Sequence, residues 1–116
     1  HYDETERNAQ IEDLLTIAAQ TETPIIIAGD FNTSDYSPIY DTISTQLTDV
    51  FRYTNVGIGA TWPSGASEEL PDVLPPLMRL DYIWLSDEIA PLSSEIGPRL
   101  GSDHLPLMAT LKLIEE

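Results

Sequence analysis

A short run of β-branched apolar residues is the feature that most constrains how this chain can fold. The run Ile-Ile-Ile-Ala occupies residues 25–28, directly after Pro24, and ends at Gly29. A half-exposed strand alternates apolar and polar residues, whereas an unbroken apolar run is typical of a strand that is buried on both faces. The sequence therefore predicts a central strand at this position.

Helical patterns flank this strand on both sides. Apolar residues recur mostly at steps of three and four over residues 5–20, which predicts an amphipathic helix. Beyond the strand, residues 32–35 offer capping oxygens, and Pro38 precedes apolar residues at helical spacing. We expect this second, shorter helix to end near Gln46.

Two further strands and a loop follow. Residues 80–85 are rich in aromatic and β-branched side chains, and residues 105–113 alternate between two faces, so both segments predict strands. Residues 50–53 predict a short edge element. Residues 55–72 are rich in Gly, Ser, Pro and acidic side chains, which predicts a long surface loop.

Composition limits the class of protein. The 116 residues, with a mass of 12.9 kDa, suit a single domain, and the 41% hydrophobic content is sufficient for a packed core. Five Lys and Arg oppose 20 Asp and Glu, so the net charge is −15 at pH 7 and the surface repels polyanions. The absence of cysteine excludes disulfides, thiolate catalysis and cysteine-based metal sites.

Polar side chains follow the first predicted strand at the point where it ends. Asp30 and Asn32 are two residues apart, so both point to the same side of an extended chain. A carboxylate beside an amide is suited to orienting a water molecule and donating a hydrogen bond to a phosphoryl oxygen. An Asx turn that closes the strand is the alternative interpretation.

Two more polar motifs border the other strands. Arg79 and Asp81 stand at the start of the second strand, where a surface ion pair would also explain them. Asp103 and His104 directly precede the third strand, where a capped turn is the alternative. Taken together, the three motifs supply hard oxygen ligands and an imidazole at strand ends, and Asp81 is a suitable partner for the second ring nitrogen of His104. This set indicates phosphoryl-transfer chemistry.

The three motifs, in this order and spacing, resemble signatures of the endonuclease/exonuclease/phosphatase family. They read Gly-Asp-Phe-Asn at residues 29–32, Arg-Leu-Asp-Tyr at 79–82 and Gly-Ser-Asp-His-Leu-Pro at 101–106. The helix sequence Arg-Asn-Ala-Gln at 7–10 is also similar to the family pattern. The resemblance implies an α+β fold: half of the deoxyribonuclease I-like four-layer α/β sandwich, with one mixed β-sheet and helices on one face.

The resemblance also implies a role for each matched residue. Asp30, Asn32, Asp81 and His104 would be catalytic, and Asp103, together with Asp30, would bind the metal. The implied cofactor is a divalent cation, Mg²⁺ before Mn²⁺ or Ca²⁺. The implied reaction is the hydrolysis of a phosphodiester or phosphomonoester by metal-assisted attack of water.

Family domains are longer than this chain. The resemblance therefore implies that residues 1–116 form the C-terminal part of one domain whose N-terminal half is absent, and that the isolated fragment is inactive. One sheet without its partner sheet would expose an apolar face, so we expect self-association through that face. His1 is a weak candidate for a catalytic histidine that ends an earlier family strand.

The substrate is less constrained than the reaction. Trp62, in a loop that resembles a bacterial branch of the family, either stacks on a substrate or pins the loop to the core. Few basic residues and no basic patch disfavour a nucleic acid and favour a small-molecule or lipid-linked phosphoester. A non-catalytic binding or scaffold module and a nuclease acting on DNA remain the alternatives. The sequence does not decide between a cytoplasmic location and one outside the membrane behind an anchor.

Overall fold

The computed structural model describes residues 4–62, 78–98 and 100–114. In chain order the elements are α1 (Glu4–Gln20), β1 (Ile26–Asp30), α2 (Pro38–Ser44), β2 (Thr48–Asp49), α3 (Val50–Thr54), β3 (Asp81–Leu85), β4 (Ile89–Ile96) and β5 (Leu107–Leu113). Within these ranges, no helix has the length and apolar character needed to cross a bilayer.

The described strands form two small sheets. One has the order β1-β3-β2 and the other pairs β4 with β5, and every pairing is antiparallel. The α+β class agrees with the sequence interpretation, but the single mixed sheet expected there differs from this arrangement of the described strands. The mixed sheet was implied by the family resemblance and not by the strand patterns, because apolar periodicity carries no information on the direction of neighbouring strands.

The expectation that β1 is central and buried on both faces is wrong for the described residues. β3 is central and β1 lies at the edge of its sheet. Ile27 packs against the helices, but Ile26 on the opposite face is 55% exposed. The unbroken apolar run therefore leaves one of its two faces without a packing partner in the described structure.

The main core lies between this sheet and the helices α1 and α2. Its centre is aromatic: the rings of Tyr82 and Trp84 stack with centroids 5.6 Å apart, and Tyr40 and Phe31 pack around them. The buried members are Ile11, Leu15, Ile39, Tyr40, Ile43, Leu47, Tyr82 and Trp84. Large aromatic side chains contribute most of the apolar area here, so this cluster fixes the sheet relative to the helices.

A second cluster joins the two sheets. Val50, Leu85 and Ile89 are buried together, and Ala109 and Leu111 from β5 pack against them. The predicted edge element at residues 50–53 is instead the helix α3. The side chain of Asp49 accepts hydrogen bonds from the first backbone N–H groups of this helix, and such capping favours a helical turn over a strand.

β4 was not predicted. The strand Ile89–Ile96 contains Pro91 and a register irregularity beside it, so its sequence lacks the alternation of a regular strand.

The surface ion pair considered as an alternative for Arg79 is not formed. Arg79 is only 2% exposed, which excludes a surface ion pair. Its guanidinium pairs with Asp35 and Asp49 and lies 4.8 Å from the centroid of the Tyr82 ring.

Candidate active site

Two carboxylates face each other at one end of the β1–β3 pair. Asp30 is the last residue of β1, Asp81 is the first of β3, and the two are direct partners in the antiparallel register. Side chains of such partners project from the same face of the sheet, and like charges placed in this way repel each other. A positive group between them would relieve this repulsion.

The imidazole of His104 lies between these carboxylates. Its Nδ1 atom is 2.6 Å from Oδ2 of Asp81, and its Nε2 atom is 3.6 Å from Oδ2 of Asp30. An ionised carboxylate only accepts hydrogen bonds. Nδ1 of His104 therefore carries a proton and donates a hydrogen bond to Asp81. The other ring nitrogen is thereby directed toward Asp30 and also lies 3.9 Å from Oδ1 of Asp103.

Partial burial and the neighbouring charges shift the pKa values of Asp30 and His104. Partial burial raises the pKa of the Asp30 carboxyl, and the charges of Asp81 and Asp103 add to this effect, although the N–H of Asn32 and the charge of His104 oppose it. Burial lowers the pKa of His104, but its hydrogen bond to Asp81 and the surrounding carboxylates outweigh burial, so the net pKa is raised. A protonated imidazole is favoured at this position.

Asn32 lies in the turn that follows β1. Its φ angle of 50° is in the left-handed region, which asparagine tolerates better than most residues. Its backbone N–H donates to Oδ1 of Asp30 over 2.7 Å, so the Asx turn considered as an alternative is present beside the site. The turn leaves Oδ2 of Asp30 directed at His104.

Arg7 is a residue near the site to which the sequence interpretation gave no role. Its Nη1 atom donates to the backbone oxygen of Asn32 over 2.9 Å, and its Nε and Nη2 atoms donate to Oδ1 of Asn8. Helix α1 thus holds the turn that carries Asn32. The only sequence signal at Arg7 was the family-like sequence Arg-Asn-Ala-Gln at residues 7–10. It indicated a helix but did not indicate the contact of Arg7 with Asn32.

A divalent cation fits this group of side chains on the chemistry of the donors. One ligand atom from each of Asp30, Asp81 and His104 lies within 4.8 Å of the others. Carboxylate oxygens are the ligands that Mg²⁺ prefers. Asp81 is occupied by His104. Asp103, the ligand that the sequence predicts, is not a member of this group, but its Oδ1 atom lies 3.9 Å from Nε2 of His104. The side chains of Asp30 and Asp103 are 36% and 49% exposed.

The described structure adds no role at this cluster for two of the sequence candidates, Trp62 and His1. The backbone of Trp62 forms an isolated antiparallel bridge with Met78, and its side chain is half-buried. The proposed stacking of Trp62 on a substrate therefore stays a prediction. His1 lies outside the described residues.

Solved structures with the same fold cover nearly the whole chain. An endonuclease/exonuclease/phosphatase from Bacteroides vulgatus is 27% identical, with a TM-score of 0.77 over 97% of this chain and 46% of its own. The mannosyl-6-phosphatase Bt3783 of Bacteroides thetaiotaomicron, 18% identical, has a TM-score of 0.72 over 97% and 48%. The human Nocturnin catalytic domain, 23% identical, has a TM-score of 0.62 over 92% and 41%. The last two likenesses show the fold alone.

The chain spans about half the length of the solved structures that it matches. None of the curated protein sequences compared with it matches significantly. The model of the endonuclease/exonuclease/phosphatase family, however, matches residues 1–104, which include the first two sequence motifs and the Gly-Ser-Asp-His part of the third. The fold and the family match agree. The chain belongs to the endonuclease/exonuclease/phosphatase family.

Proposed function

We propose that the protein carrying this chain is a metal-dependent phosphoric ester hydrolase. The observation that carries the proposal is the 2.6 Å contact between His104 and Asp81 beside the carboxylates of Asp30 and Asp103. Membership of a family of nucleases and phosphatases supports it. In the reaction a water molecule attacks phosphorus, the bond to the leaving oxygen breaks, and that oxygen gains a proton.

His104 acts on the phosphoryl group in this proposal. Asp81 holds the proton on Nδ1 and fixes the ring, so Nε2 lies on the side of Asp30 and Asp103. The raised pKa of His104 favours the protonated ring, in which Nε2 donates a hydrogen bond to a phosphoryl oxygen or a proton to the leaving oxygen.

Asp30 and Asn32 act on the other reactants. Asp30 orients the attacking water and accepts its proton, a role that a carboxylate with a raised pKa performs better than an ordinary one. Asn32 donates a side-chain hydrogen bond to a phosphoryl oxygen. Asp103, together with Asp30, would hold the divalent cation, Mg²⁺ before Mn²⁺ or Ca²⁺. When bound, the cation supplies positive charge against the charge that develops on the phosphoryl group.

The substrate that we propose is a small-molecule or lipid-linked phosphoester. The net charge of −15 opposes the approach of a polyanion, and five Lys and Arg are too few for an extended phosphate-binding surface on this part of the protein.

We further propose that residues 1–116 are the C-terminal part of the domain. The 116-residue chain alone would then be a poor catalyst, because it spans about half of the solved structures that it matches.

A substrate panel tests the proposed function. The complete natural protein is incubated with plasmid DNA, bis-p-nitrophenyl phosphate, phosphoinositides and polyprenyl pyrophosphate, each with Mg²⁺, Mn²⁺ or EDTA. We expect metal-dependent hydrolysis of a small or lipid-linked ester that is lost in the His104→Ala variant. Hydrolysis that survives this substitution would remove His104 from the mechanism. Absence of turnover on the whole panel would favour a non-catalytic binding module.

A further inference from the structure

Thr61 is a fully buried polar residue in the loop that follows α3. Its exposed fraction is 0%, although the sequence pattern predicts a surface loop here. Its Oγ1 atom accepts hydrogen bonds from the backbone N–H groups of Leu80, over 3.1 Å, and Asp81, over 3.3 Å. The hydroxyl of Thr61 therefore holds the backbone of the residue whose carboxylate contacts His104.

The backbone of Thr61 reaches the other member of this pair. Its carbonyl oxygen accepts the N–H of Leu105 over 2.7 Å, and Leu105 directly follows His104. Its own N–H donates to the carbonyl oxygen of Met78 over 2.9 Å. One residue thus contacts the segment that presents Asp81 and the segment that presents His104.

The contact between Asp81 and His104 depends on how these two segments are placed. Asp81 begins β3, whereas His104 precedes β5, and the two strands belong to different sheets within the described structure. Strand pairing between β3 and β5 therefore does not set the distance between the side chains. The hydrogen bonds of Thr61 supply a direct connection instead, on the buried side of the site.

We propose that Thr61 is a positioning residue that sets the geometry of the Asp81–His104 pair; its catalytic consequence rests on the function proposed above. Removing the hydroxyl leaves the buried N–H groups of Leu80 and Asp81 without their acceptor. Asp81 then shifts relative to the segment held by the Thr61 carbonyl. Because a displacement of about 1 Å can cost a hundredfold in rate, a small shift is sufficient to impair catalysis.

Three variants of the complete natural protein test this proposal. Thr61→Val removes the hydroxyl and keeps the shape of the side chain, whereas Thr61→Ser keeps the hydroxyl. Thr54→Val is the control, because the hydroxyl of Thr54 is also bonded to backbone, but Thr54 is half-buried and its hydroxyl donates to Val50 within α3. Each variant is assayed for kcat and KM, for thermal unfolding, and for the proton NMR signal of His104 Nδ1, assigned by its loss in His104→Ala.

We expect Thr61→Val to lower kcat about tenfold to a hundredfold at nearly unchanged KM, and to shift or broaden the Nδ1 proton signal. Thr61→Ser should restore both, and Thr54→Val should change neither. The proposal is overturned if Thr61→Val leaves the Nδ1 signal unchanged, whatever its effect on Tm, or if Thr61→Ser behaves like Thr61→Val. If the wild-type protein hydrolyses no ester, the proposed function fails, and the NMR comparison still decides whether Thr61 positions His104.

Discussion

Arg79 and Asp49 form a buried ion pair, with 2.7 Å between Nη1 and Oδ2 and side-chain exposures of 1% and 3%. Asp49 also accepts the hydroxyl of Tyr40 and caps α3. Replacing Arg79 with Met leaves this carboxylate buried without its positive partner, which costs about 3–5 kcal/mol in the free energy of unfolding. Urea unfolding of the complete natural protein measures the loss.

Arg52 provides the control for this prediction. It pairs with Asp35 over 3.6 Å, but its side chain is 60% exposed, so solvent screens the interaction. Arg52→Met should change the free energy of unfolding by less than about 1 kcal/mol. Equal losses for the two arginine variants would contradict the assignment of Arg79 as the buried anchor of this region.

Replacing Asp81 with Asn should impair catalysis more than folding. The amide is a weaker acceptor of the Nδ1 hydrogen bond and no longer stabilises a charged imidazole, so we expect kcat to fall by up to about ten-thousandfold, the loss that the same change causes in a Ser-His-Asp triad. Asp87→Asn makes the same chemical change in the exposed turn after β3 and should leave kcat unchanged. Similar losses in both variants would indicate a general electrostatic effect.

The two exposed carboxylates should differ in their response to metal. Asp103→Asn removes a proposed ligand, so activity should require more Mg²⁺ and should recover in part at high Mg²⁺ concentration. Asp30→Asn also removes the group that accepts the proton of water, so its kcat should stay low at every concentration. Titration of the rate with Mg²⁺ separates the two, and full recovery of Asp30→Asn would limit Asp30 to metal binding.

His104 should make stability depend on pH in the metal-free protein. Its pKa is raised in the folded state above the ordinary value of 6.5, chiefly because Asp81, Asp30 and Asp103 outweigh burial. The stabilisation is therefore complete below pH 6.5 and is lost as the pH rises through the folded-state pKa. The difference in free energy of unfolding between wild type and His104→Gln, measured in EDTA, should shrink with rising pH. A difference that grows would have the wrong sign.

The exposed face of β1 should drive association of the 116-residue chain when it is prepared alone. Ile26 is 55% exposed on the face opposite the helices, next to Ala28, and this face has no partner in the described structure. Sedimentation velocity should show a dimer that Ile26→Glu weakens. Ile17→Glu, at a 61% exposed position on α1, is the control and should have no effect. A monomer at high protein concentration would contradict the prediction.

Much of this fold was predictable from local patterns. Periodicity identified α1, α2 and β5, and aromatic and β-branched content identified β3, all within a few residues of their bounds. β4 was missed because Pro91 interrupts its alternation. The burial of Arg79 was missed because its partner Asp49 lies 30 positions away in sequence, and only the tertiary structure brings the two together.

The sequence predicted which residues form the candidate site better than it predicted how they are arranged. Short motifs at strand ends identified Asp30, Asp81 and His104, and the structure brings them together, although their catalytic roles remain predictions. No local pattern signalled the contacts of Thr61 or Arg7. Both act through backbone groups of distant segments, and a hydrogen bond to backbone leaves no signature in the residue type of its partner.

The backbone bridge between Trp62 and Met78 fixes the positions of these two residues relative to each other. Their backbones exchange hydrogen bonds of 3.0 Å in each direction, directly beside Thr61 and Arg79. The chain between them begins and ends at one fixed point, and each doubling of its length adds only about 0.6 kcal/mol of closure entropy. An insertion between Trp62 and Met78 should therefore cost little in closure free energy as long as the bridge between them forms.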